Sequence, residues 1–106
     1  MTTATKRLYQ QGDCLIEQAT IPCGARMEKG RVLAYGEVTG HAHRLTEVSD
    51  GLLVEVGGQL YLSVGADGAE IVHEEHKPVA VPPGEYLVRR VREYDHFTEE
   101  ARQVRD

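Results

Sequence analysis

The sequence predicts an all-β fold: a small single-domain barrel or sandwich spanning residues 1–106, closed by a short helix at its end. Three observations predict it. Short segments rich in β-branched and aromatic residues alternate apolar with polar positions, as in CLIEQA (14–19) and QLYLSV (59–64). Glycine and proline clusters separate them at close spacing, with no repeat and no linker. Helical character is confined to the last ten residues.

The elements follow in order. RLYQ (7–10) runs into a turn at Gln11-Gly12-Asp13, and CLIEQA (14–19) follows as a strand. Ile21-Pro22-Cys23-Gly24 reads as a turn or loop. RVLAYGEV (31–38) is a strand broken by Thr39-Gly40, and HAHRLTEV (41–48) alternates again up to Ser49-Asp50-Gly51. LLVEV (52–56) and QLYLSV (59–64) flank Gly57-Gly58, a two-residue hairpin signal. AEIVHEEH (69–76) follows, and Pro78 suggests that this strand ends there. VAV (79–81) leads into Pro82-Pro83-Gly84 and a long final strand, EYLVRRVREY (85–94). That strand exceeds the usual five or six residues, so it bends or pairs with a second copy of the chain as a homodimer. In 97–106, Thr98 can cap a helix, Glu99 and Glu100 suit its first turn, and Arg102 and Arg105 its last.

Composition restricts the function. The 106 residues carry a net charge of −5, which argues against a duplex-DNA binder that works by phosphate neutralisation. The N-terminus has no apolar signal-like region and no run of apolar residues could span a bilayer, so a soluble, cytoplasmic protein without a membrane partner is expected. Cys14 and Cys23 form no CxxC pair and read as free thiols. The five tyrosines lie in five segments and form no base-stacking platform.

The five histidines stand out beside one Phe and no Trp. His41 and His43 form an HxH pair on a strand, where period-two alternation points both rings the same way. Leu45 shares that face, so if it enters the core the histidines point inward too. His73 and His76, in HEEHKP, would face opposite sides of an unbroken strand, and a bulge or turn at Glu74-Glu75 would bring them together. HEEH has the wrong spacing for the HExxH metalloprotease motif. His41, His43, His73 and His76 are therefore the candidate metal ligands, for a divalent ion such as Zn, Fe, Ni or Mn. Glu47, Glu74 or Glu75 could add a carboxylate, with Glu75 the candidate general base. Arg44 and Lys77 are candidates to stabilise developing negative charge. Arg90 and Arg92 could grip a phosphate, although ion pairing on a solvated face is the commoner use of such residues. His96 is a reserve ligand.

The HAH segment resembles the first cupin motif. Gly36 precedes His41-Ala42-His43, Glu47 follows after three residues, and Gly51 could close the motif. Pro82-Pro83-Gly84 resembles the P-x-G turn of the second motif, although Leu87 stands where cupins carry a further histidine. The resemblance covers residues 36–87 and implies a small barrel with His41, His43 and Glu47 as ligands. The whole chain also resembles small bacterial and phage proteins with a QGD start and a GEVTGHAHR core, and no function comes with that likeness.

Three functions are consistent with these residues. The first is a metal-site protein, extending to a metal-dependent enzyme for a small or phosphate-bearing substrate. The second is a non-enzymatic protein-interaction module with structural histidines. The third is a metal-free protein that cleaves or binds RNA through histidine acid–base chemistry.

Overall fold

The computed structural model describes residues 7–28, 30–36 and 40–90. It is all-β, with ten strands in two antiparallel sheets that pack as a sandwich rather than closing into a barrel. The strands are β1 (Leu8–Gln11), β2 (Cys14–Gln18), β3 (Arg26–Met27), β4 (Val32–Tyr35) and β5 (Ala42–Leu45). They continue with β6 (Gly51–Val56), β7 (Gln59–Val64), β8 (Ala69–His73), β9 (His76–Val81) and β10 (Gly84–Arg90). One sheet has the order β1-β2-β10-β7-β6-β3, and the other β4-β5-β8-β9. Hairpins alternate between the layers: β1–β2 and β6–β7 lie in the first, β4–β5 and β8–β9 in the second.

Turn chemistry sets the registers. Gly57 and Gly58 join Val56 to its partner Gln59, and both have positive φ (56° and 82°), as a type I′ hairpin turn requires. Gly12-Asp13 joins Gln11 to its partner Cys14 in the same two-residue manner, with Gly12 at φ 57°.

The core lies between the sheets. Period-two alternation sends Ile16, Leu62, Tyr86 and Val88 inward from one layer, and Leu45, Ile71, Val79 and Val81 from the other. Each buried Leu or Ile contributes roughly 1.5–3 kcal/mol of hydrophobic stabilisation. The Tyr86 hydroxyl donates to the Pro82 carbonyl at 2.7 Å, which fixes the Pro82-Pro83 crossing from β9 in one layer to β10 in the other. Cys14 is buried and Cys23 exposed, both as free thiols.

Several expectations need correction. Pro78 does not end a strand: β9 runs through it. This is tolerated because β9 is an edge strand and its register with β8 shifts between Ile71 and His73, so the missing N–H breaks no regular ladder. The strand expected over 41–48 ends at Leu45, and Glu47 and Val48 form a turn. The two-residue strand β3, pairing Arg26 and Met27 with β6, was not signalled by alternation. The final strand is described as far as Arg90. Its expected continuation to Tyr94, Arg92, His96 and the helix over 97–106 lie outside the described residues. Among the described residues no helix is long and apolar enough to cross a membrane.

Candidate functional site

Three hairpins bring the histidines to one place. Leu45 is in the core, so its alternation partner His43 also points inward and is only 1 % exposed. His41 precedes β5 on the same face. In the β8–β9 hairpin, Glu74-Glu75 is the turn, and His73 and His76 are directly paired across it. The turn between β1 and β2 contributes Gly12 and Asp13. These groups, with Gly36 and Glu75, line a pocket of about 340 Å³. That volume is in the range of small-ligand sites.

The four rings cluster. Centroid separations are 5.6 Å for His41–His73, 4.4 Å for His43–His73, 5.8 Å for His43–His76 and 4.7 Å for His73–His76. Two glycines make room for them. A Cβ on Gly12 would lie 2.5 Å from His76 Nε2, and one on Gly36 3.2 Å from His73 Nε2.

Hydrogen bonds assign the ring nitrogens. Fully buried Gln11 donates its side-chain amide to the carbonyls of Ile71 and Lys77, both at 2.9 Å. Both amide protons are thus engaged, so Gln11 Oε1 can only accept, and it lies 2.8 Å from His43 Nδ1. His43 therefore carries its proton on Nδ1. Its Nε2 lies 3.3 Å from Asp13 Oδ1. Burial, and next the charge of His73, push the His43 pKa down, while Asp13 acts in the opposite sense. His41 Nδ1 faces Glu75 Oε2 at 2.9 Å. The Glu75 backbone N–H donates to His73 Nδ1 at 3.0 Å.

His41, His73 and Glu74 each offer a donor atom within 4.8 Å of the other two. The Glu74 carboxylate accepts the Ala42 N–H at 3.0 Å and the Arg44 guanidinium at 2.9 Å. These bonds, the Ala42 amide foremost, hold its pKa down at about 2, so it is ionised at neutral pH and suited to a cation. Imidazole nitrogen with carboxylate oxygen is a donor set for Zn, Fe, Ni or Mn.

The remaining expected residues lie elsewhere. Arg44 is outside the pocket lining and bonds Glu74 and the Ala42 carbonyl. Glu47 is exposed in the turn after β5. Its neighbour Thr46 bonds Glu70, at the opposite end of β8 from His73. Lys77 contributes its backbone carbonyl. Arg90 ion-pairs with Asp13 at 2.9 Å and donates to the Tyr35 carbonyl. Gln11 and Asp13 were missed as site residues because Gln11-Gly12-Asp13 reads only as a turn. The available signal was a glutamine at the inward end of a strand.

No curated protein and no solved structure matches this sequence. A family model described as a domain of unknown function, DUF8820, matches residues 10–91, and the chain belongs to that family.

Proposed function

We propose that this protein is a metal-binding β-sandwich that holds a divalent transition-metal ion in the histidine pocket. The observation that carries the reading is the convergence of His41, His73 and Glu74, with donor atoms all within 4.8 Å of one another. Other features support it. Glu75 on His41 Nδ1 leaves His41 Nε2 as a ligand atom, the arrangement by which metal-bound histidines are commonly oriented. Arg44 and the Ala42 amide fix the Glu74 carboxylate.

Ligation by His73 has a cost. With the Glu75 N–H on Nδ1, neutral His73 carries its proton on Nε2. Metal binding requires a half-turn of the ring or loss of that hydrogen bond, at about 1 kcal/mol. Structural zinc sites supply roughly 10 kcal/mol or more, which is larger than that cost. When bound, the ion would polarise an oxygen of a small substrate or activate a water, with Glu75 as the carboxylate at hand for proton transfer. Among the described residues the pocket lining contains no lysine or arginine, so there a phosphate-bearing substrate would depend on metal charge.

A second reading is metal-free acid–base chemistry on RNA. It rests on two rings 5.6 Å apart: His41 Nε2 as base, oriented by Glu75, and the imidazolium form of His73 as acid.

The test is the metal content of untagged protein. We expect stoichiometric metal, a melting temperature lowered by chelator, and loss of metal in His41→Ala and His73→Ala. Metal-free protein that is indifferent to added ions and to chelator overturns the proposal. Cleavage of RNA that survives chelator and is abolished by His73→Ala would establish the second reading instead.

A further inference from the structure

We infer that the pocket has a second cation position, between His43 Nε2 and Asp13 Oδ1, beside the one formed by His41, His73 and Glu74. This inference rests on the metal-binding reading of the pocket. Its starting point is the Gln11 amide. With both amide protons on the carbonyls of Ile71 and Lys77, Gln11 obliges His43 to donate from Nδ1 and to present an Nε2 lone pair to the pocket. The group facing that lone pair at 3.3 Å is a carboxylate oxygen.

Two acceptors opposed in this way need something positive between them. A shared proton would make a charge-assisted N–H···O bond, which normally measures about 2.7–2.9 Å. Two donor atoms on one tetrahedral ion, each at ~2.0–2.2 Å, lie about 3.4 Å apart. The observed 3.3 Å fits the edge of a coordination tetrahedron better than a charged hydrogen bond.

The surroundings are built for this geometry. Arg90 Nε takes the other carboxylate oxygen, Asp13 Oδ2, at 2.9 Å, which fixes the group and leaves Oδ1 turned to His43. Asp13 comes from the tight Gly12-Asp13 turn, so its backbone is fixed as well. His76 packs over Gly12 with its ring 19° from that of His43.

The two positions are distinct because His43 and Asp13 are not part of the group in which the donor atoms of His41, His73 and Glu74 lie within 4.8 Å of one another. They adjoin because His43 and His73, one from each set, have centroids 4.4 Å apart. Paired ions of this kind, about 3.5–4 Å apart, hold the attacking and leaving oxygens of a displacement. A second ion would also add positive charge for an anionic substrate. The substrate class it favours is a small phosphoester.

The test is metal stoichiometry on untagged protein, saturated with Mn²⁺ or Zn²⁺ and freed of excess ion. We expect two ions per chain in the wild type, one in Asp13→Asn and one in Glu74→Gln, each variant checked for native circular dichroism. The Mn²⁺ wild type should give the exchange-coupled electron paramagnetic resonance spectrum of an ion pair, a readout that needs no variant. One ion per chain with an uncoupled spectrum, unchanged in Asp13→Asn, overturns the second position and leaves the first standing. No ion in the wild type overturns both.

Discussion

Gln11 and His43 meet through a buried 2.8 Å hydrogen bond that links the first strand of one sheet to the histidine face of the other. The same glutamine holds Ile71 of β8 and Lys77 of β9. Three of the four pocket histidines thus stand on strands that Gln11 ties together. Gln11→Leu would leave two carbonyls and one ring N–H without their partners. Each buried polar group left unsatisfied costs about 1–3 kcal/mol. The expected loss is at least ~2 kcal/mol in chemical denaturation, with ¹⁵N resonances of His43 no longer those of a pure Nδ1–H tautomer.

Gly12→Ala should damage both the fold and the pocket. An alanine at φ 57° is strained by roughly 1–2 kcal/mol, and its Cβ would lie 2.5 Å from His76 Nε2. The expected result is a lower melting temperature, together with weaker metal binding in calorimetric titration.

The stability of metal-free protein should fall at acid pH through Glu74. Its folded-state pKa, about 2, lies below the ordinary 4.5 because of the Ala42 amide and then the Arg44 guanidinium. A depressed carboxylate stabilises the fold fully above the unfolded value, and that contribution is lost as pH falls from about 4.5 towards 2. Denaturation midpoints measured across this window should fall less steeply in Glu74→Gln than in the wild type.

The two cysteines should differ sharply towards thiol reagents. Burial foremost, and the neighbouring Asp13, push the Cys14 thiol up to about 12, whereas Cys23 is exposed. Native protein at pH 8 should label once, at Cys23, and a second time only in denaturant. Rapid labelling of Cys14 in the native state would contradict its burial.

Tyr86→Phe removes the 2.7 Å hydroxyl bond to Pro82 while keeping the buried ring. A loss of about 1 kcal/mol is expected, or somewhat more because the carbonyl loses a partner. Equilibrium unfolding measures it directly.

Much of the architecture was legible locally. Gly57-Gly58 fixes a hairpin because only residues tolerant of positive φ form that turn, and the alternation in QLYLSV and EYLV selects the inward face. The HxH pair announced its shared orientation through the period of a strand, with Leu45 as the marker of the inner face.

The convergence of the site was decided by the tertiary structure. His43 lies thirty residues or more from His73 and His76 in sequence, and nothing local requires that β5 pair with β8. The register shift between Ile71 and His73 lies next to Pro78 and ends in the His73–His76 pair. Packing of the two sheets then sets Gln11 and Asp13 of one layer against the histidines of the other. Pairing of β5 with β8 within the second sheet turns Arg44 towards Glu74, while Glu47 lies in an exposed turn beyond β5. Side-chain type and strand period, both local properties, determined which residues could serve a metal. Which of them meet depends on strand order and sheet packing, set by burial of the whole core.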